Sequence, residues 1–152
     1  MGAGPNAIAD KAYLATGVAA YVYGQVVTDT AAVQSCAPIT IANSYVLGIC
    51  QENIDAARVT TGKAFISIRP FGFARALIGA AVAKHDPLTT DATGRFIKQI
   101  TAGGTFYAVA EEAGTVAGQL VEVRLLDGYA TIQGVFECII LLVLATSILT
   151  RF

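Results

Sequence analysis

Between residues 19 and 126 the apolar residues fall into short runs, rich in Val, Ile, Tyr and Phe, separated by clusters of Gly, Pro, Asn, Asp and Thr. Runs of this length with such punctuation predict strands. The spacing places them at 19–27, 37–41, 45–51, 64–70, 73–77, 96–100, 105–110 and 120–126. Residues 64–69 alternate in size and polarity, and Val121-Glu122-Val123-Arg124 alternates strictly, as expected of strands with one buried and one wet face. Residues 76–84 are Ala-rich and could form a short helix, but Gly79 and its neighbouring turn residues favour a strand followed by a turn. Many short strands at this spacing predict a mainly β protein, an antiparallel barrel or sandwich.

The pattern echoes itself at an interval of about sixty residues. Gln25-Val26-Val27-Thr28-Asp29 answers to Asp86-Pro87-Leu88-Thr89-Thr90-Asp91. Val46-Leu47-Gly48-Ile49-Cys50-Gln51-Glu52 answers to Phe106-Tyr107-Ala108-Val109-Ala110-Glu111-Glu112. Gly62-Lys63-Ala64-Phe65-Ile66-Ser67-Ile68 answers to Gly118-Gln119-Leu120-Val121-Glu122-Val123. Two readings stay open: one element used twice, or the echo that any chain of short strands produces.

The expected organisation is an N-terminal arm at 1–18, a β domain at 19–126 and a C-terminal tail at 127–152. The tail is the most unusual part. From Cys138 to Thr150 it holds no charged residue, and Glu137 and Arg151 bracket the run. A spanning helix needs about 20 mainly apolar residues, which this run reaches only by burying Glu137. Its apolar side chains are too many for one face, so they are expected to be buried between copies in a closed oligomer. The candidate interface residues are Phe136, Ile139, Ile140, Leu142, Val143, Leu144, Ile148 and Leu149. Exposed, such a run would be an aggregation hazard. The alternative is a membrane-associated protein in which residues 136–149 insert in lipid and the β domain faces water.

Composition narrows the function classes. The 152 residues are 55% hydrophobic and only 14% charged, against a usual charged share of about 25%, which points either to surface covered by partners or to a part of the chain that meets lipid. Formal net charge is −1, and no stretch combines basic residues with aromatics as a nucleic-acid footprint would. Cys36, Cys50 and Cys138 lack metal-ligand spacing and read as buried small hydrophobes. The first residues, Met1-Gly2-Ala3-Gly4-Pro5-Asn6, show neither a basic region leading into an apolar run nor the Ser or Thr that myristoylation requires at the sixth position, so an intracellular origin is the expectation.

Candidate chemistry is sparse. His85-Asp86 could tune an imidazole for acid–base work, but Asp86-Pro87 is a common turn opening. Ser35 and Cys36 with His85 could be assembled into a nucleophile and base, though no spacing requires it. Gly103-Gly104 and residues 113–118 lack the Lys-Ser/Thr of a phosphate loop and read as turns. Asp86, Asp91 and the threonines between them and Gly94 miss the spacing of a calcium loop. No catalytic residue, metal or cofactor is expected. The aromatics Tyr21, Tyr23, Phe71 and Phe73 are candidates for partner contact.

A further set of phrases narrows the reading: Val46-Leu47-Gly48-Ile49-Cys50, then Thr61-Gly62-Lys63-Ala64-Phe65-Ile66-Ser67-Ile68, then Gly72-Phe73-Ala74-Arg75-Ala76, then the stretch from Lys84 through His85-Asp86-Pro87 to Gly94-Arg95, and the closing Gly118-Gln119-Leu120-Val121-Glu122-Val123-Arg124-Leu125. Over residues 21–126 this succession resembles the capsid decoration, or cement, proteins of tailed bacteriophages. It departs from that pattern at His85, where those proteins usually carry Gly, and at Ala108, where a Gly is replaced; residues 127–152 lie beyond it. The resemblance implies a protein made in the host cytoplasm that binds the outside of an assembled head, often as a trimer, and clamps neighbouring subunits of the major capsid protein without an active site.

Overall fold

A computed structural model describes residues 10–133. Ten strands and one short helix form two five-stranded lobes. The first lobe holds β1 (Lys11–Ala15), β2 (Val26–Asp29), β3 (Ser35–Pro38), β4 (Gly48–Cys50), α1 (Ala56–Thr60) and β5 (Phe65–Arg69). The second holds β6 (Gly72–Leu77), β7 (Pro87–Thr90), β8 (Phe96–Lys98), β9 (Thr105–Ala110) and β10 (Leu120–Thr131). The expectation of a mainly β barrel is met.

The first lobe is a closed barrel in the order β1-β3-β2-β4-β5. β1 closes it, running parallel to β3 at Leu14–Ser35 and Ala15–Cys36 and antiparallel to β5 from Lys11–Ile68 to Leu14–Phe65. The second lobe has the order β6-β10-β9-β7-β8. Taken strand by strand, β6 to β10 repeat the pairings of β1 to β5. Even the parallel closure has its counterpart, reduced to a single bridge between Ile78 and Phe96.

The repeat extends to individual hydrogen bonds. Tyr21 and Ile54 exchange backbone bonds of 2.8 and 2.9 Å, as Val82 and Gly114 do at 2.9 and 2.9 Å. The Gly24 amide donates to the Cys50 carbonyl, and the His85 amide to that of Ala110; the Cys50 amide returns to Gln25 and the Ala110 amide to Asp86. The carboxylates of Glu52 and Glu112 accept from the amides of Ser67 and Glu122. The segments matched in sequence are therefore β2 with β7, β4 with β9 and β5 with β10. Between Ile54 and Ser67 the first lobe carries about five residues more than the second, and α1 accounts for them. Asp55 caps that helix, its side chain accepting from the Arg58 amide at 2.8 Å, which satisfies an otherwise orphan donor.

Two clusters form the interior. Ala15, Tyr21, Val27, Cys36, Cys50, Ile54, Val59, Ala64, Ile66 and Ile68 fill the closed barrel. Tyr21 plugs it; its hydroxyl donates to the Thr16 carbonyl at 2.7 Å and accepts from the Thr16 amide at 3.1 Å. The other cluster fills the second lobe and includes four residues of the first, Val26, Ile39, Val46 and Ile49. They stand on the outside of the closed barrel and on the inside of the joint.

That joint explains why the second lobe closes by only one bridge. The Leu77 amide, at the end of β6, donates to the Gly24 carbonyl at 2.9 Å, while the Val26 amide donates to the Gly94 carbonyl, just before β8, at 2.8 Å. Residues 24–26 thus lie across the gap between β6 and β8. The fit is tight: a Cβ at Gly24, whose φ is +82°, would meet the Leu120 side chain at 2.4 Å and the Leu77 backbone nitrogen at 3.3 Å. In the second lobe His85 takes the place of Gly24, with φ +71°, and Pro87 takes the place of Val26 without an amide hydrogen to give.

The expected boundaries differ from those observed at both ends. β1 lies in the stretch read as an arm, and β10 runs past residue 126 to Thr131. The run 19–27 is not one strand, because the left-handed turn at Gly24 divides it.

Candidate interaction surface

The candidate chemical groups are not brought together. Cys36 lies inside the closed barrel, where burial pushes its thiol up to about 11, so it is held as a thiol and not as the nucleophilic thiolate. Ser35 turns its hydroxyl to the Ala32 carbonyl at 2.8 Å and against Thr30. His85 stands in the other lobe as a turn residue, its amide tied to Ala110.

Asp86 opens that turn as the sequence suggests, accepting from the Ala83 amide at 2.8 Å and pairing with Lys98 at 2.7 Å. Asp91 closes the β7–β8 turn, accepting from the Thr93 and Arg95 amides at 2.8 and 3.0 Å and pairing with Arg95. At both aspartates burial pushes the carboxyl upward, but these hydrogen bonds outweigh it and hold the group below the usual carboxylate range. Their oxygens serve the turns. Among the described residues no three His, Cys, Asp or Glu side chains gather as a metal site.

What the fold does assemble is aromatic surface. Tyr107, on β9, is flanked by Tyr45 at 6.3 Å between ring centroids and by Tyr129 at 6.5 Å, with interplanar angles of 89° and 64°. Edge-to-face packing of this kind suits aromatic quadrupoles. Tyr107 is buried as part of the second lobe's core cluster, and burial pushes its phenol up. Tyr45 and Tyr129 are 49% and 66% exposed.

Each ring is placed by a different device. Tyr45 belongs to the β3–β4 connection, pinned to the second lobe where the Asn43 amide donates to the Thr90 carbonyl at 2.9 Å and the Thr89 hydroxyl meets the Asn43 side-chain oxygen at 3.0 Å. Tyr129 belongs to a bulge in β10. The register there shifts from Leu125–Ala108 to Ala130–Phe106, and Gly128, at φ +103°, permits the bend. Beyond it, β10 is tied to the β8–β9 connection by bonds of 2.9 and 3.0 Å between Ile132 and the glycines Gly103 and Gly104. Ile100, in that connection, is 81% exposed.

No protein-family model and no curated protein matches the sequence. Among solved structures, the N base of the head fiber gp8.5 of bacteriophage phi29 matches with a TM-score of 0.60, covering 80% of this chain and 98% of that one. The two proteins share a fold. Identity with the phi29 base is 14%, so the likeness lies in the backbone plan and not in surface side chains. The matched share of this chain exceeds either lobe, so both lobes take part in it.

Of the residues singled out in the sequence, Phe136, Ile139, Ile140, Leu142, Val143, Leu144, Ile148 and Leu149 lie outside the described residues. Tyr21 is core and Tyr23 half-buried. Phe71 and Phe73 are exposed beside the joint, where Arg69, paired with Asp10 at 2.7 Å, donates to the Phe73 carbonyl. The tyrosine surface is not among the contacts the sequence predicts. Its one sequence signal is Asp127-Gly128-Tyr129, a bulge-type phrase in a strand pattern that outlasts Leu126. Among the described residues no helix is long and apolar enough to cross a membrane.

Proposed function

We propose that this chain is a structural component of a bacteriophage head, a decoration or cement protein that binds the outer surface of the assembled head, stabilises contacts between capsid subunits and performs no catalysis. The fold shared with the N base of the phi29 head fiber is the observation that carries the reading. The decoration-protein phrases in the sequence support it independently, since they rest on residues and the shared fold rests on backbone geometry.

On this reading the two lobes form a β body that presents side chains to the head, and the apolar residues beyond 133 join copies, as a trimer, through apolar burial. The partners are the major capsid protein and other copies of this chain. The virion surface is the location.

The test is co-sedimentation of the full chain with assembled heads and with unassembled capsid subunits, followed by thermal or low-salt challenge of the decorated heads. Binding to assembled heads that raises their rupture temperature is the expected result. Failure to bind any head lattice, or binding that leaves rupture unchanged, overturns the cement role.

A further inference from the structure

The tyrosine surface is what the internal repeat does not explain. β5 ends at Arg69 before Pro70, whereas β10, its counterpart, runs twelve residues. The additional stretch contains the bulge that brings Tyr129 over Tyr107 and then leads the chain past Ile132 into the apolar segment beyond residue 133. In the first lobe Leu47 stands where Tyr107 stands in the second, and nothing corresponds to Tyr129. Features shared by both lobes serve the fold; this one is added to a single lobe, and its Tyr45 and Tyr129 stay exposed among the described residues.

We infer that the Tyr45–Tyr107–Tyr129 surface receives the apolar segment 134–149 of a neighbouring copy. This rests on the proposed self-association and names its docking site. Two observations select the occupant. The surface lies at the root of that segment, so that in a symmetric oligomer each copy offers both the segment and the seat at the same end. And residues 138–150 contain no charged residue, with 138–145 apolar throughout: so concentrated an apolar run is more than one copy's tyrosines can cover, whereas segments gathered among several copies cover one another and dock on the surrounding tyrosines. Rigid aromatics with a polar tip are suited to such a seat, giving large contact area while keeping a hydroxyl at the wet rim.

The experiment measures the oligomeric state of the full chain by sedimentation, beside a chain ended after Gln133, which keeps every described strand, and the double variant Tyr45→Ser/Tyr129→Ser. Both tyrosines are exposed, so the fold is expected to persist, checked by circular dichroism. The full chain is expected to be oligomeric, the shortened chain monomeric, and the double variant weakened in association by about thirtyfold or more, the size of an interface hot spot. Phe73→Ser, away from the surface, is expected to change nothing. In addition, Tyr45→Cys is oxidised in the presence of the chain's own Cys138; a cross-link between copies is expected.

Three results overturn the inference. If the shortened chain dissociates but the tyrosine variant does not, the seat is elsewhere and the self-association reading survives. If the cross-link forms within one chain, the segment docks on its own lobe. If the full chain is a monomer, both readings fall.

Discussion

The two lobes share one pairing scheme, yet the first is a closed barrel and the second depends on the first for its closure. The difference traces to a few positions. Where the first lobe has Leu14 and Ala15 paired in parallel with Ser35 and Cys36, the second has one bridge, and the Leu77 amide and Gly94 carbonyl on either side of the gap turn to Gly24 and Val26 of the first lobe. The same turn is Gly24 where it must enter that gap and His85 where it faces outward. A repeated scheme thus tolerates large changes in side chains, while the contact between repeats is what restricts them.

Substitutions at matched positions break or sharpen this contrast. The largest effect is expected from Tyr21→Ala, which empties the plug of the closed barrel and is expected to cost about 3–5 kcal/mol in chemical denaturation. Val82→Ala, at the matching bridge in the second lobe, removes two methyl groups and is expected to cost about 1.5–2 kcal/mol at ~0.8 kcal/mol per buried group. Comparable losses would mean that the second lobe relies on its own plug as the first does.

Next comes Val26→Pro, which gives the first lobe the residue found at position 87. It removes the donor to the Gly94 carbonyl and is expected to cost about 1–3 kcal/mol, the range for a buried group left without its partner. Pro87→Val is expected to move stability by less than about 0.5 kcal/mol. Equal effects would show that the 24–26 segment is not what spans the gap.

A smaller effect, of opposite sign, is expected at His85. A non-glycine residue at positive φ is strained, so His85→Gly is expected to raise stability, by about 0.5–1 kcal/mol in thermal unfolding. Gly24→Ala puts a Cβ against the Leu77 backbone at the same φ and is expected to lower it.

The smallest contrast is in acid. Asp86 and Asp91 are both held below the usual carboxylate range; their counterparts in the first lobe, Gln25 and Thr30, do not titrate. Because the folded state binds the proton less readily than the unfolded chain, the stability these groups supply is fully present above the unfolded aspartate value of about 3.9 and is lost as pH falls through their lower folded values. Amide exchange measured between pH 5 and 2 is expected to loosen the β7–β8 turns before the first barrel. Uniform loosening would remove the contrast.

The repeat and most strands are legible in the sequence because alternation and turn residues are local. The matched segments that read as echoes do occupy equivalent strands. β1 escaped because Lys-Ala-Tyr-Leu-Ala is short and mixed, and its parallel pairing with β3 is set by the barrel, not by any neighbour in the chain. β7 escaped because Asp86-Pro87 and the threonines read as turn, whereas Leu88, Thr89 and Thr90 are buried by the fold. The division of 19–27 turns on the backbone angle of one glycine. The tyrosine surface brings together residues from the β3–β4 connection, β9 and β10, and such a meeting has no signature along the chain.

Pro87 has a consequence for how many lobes can be joined. Units that attach front to back through unlike faces extend indefinitely unless the series closes into a ring. Here the trailing unit carries proline where the leading unit offers its amide, and the leading unit's own gap is already sealed by β1 and β3. The bond from this amide therefore has no donor for a third lobe at one end and no open gap to enter at the other, so the Val26–Gly94 half of the joint cannot be repeated along the chain.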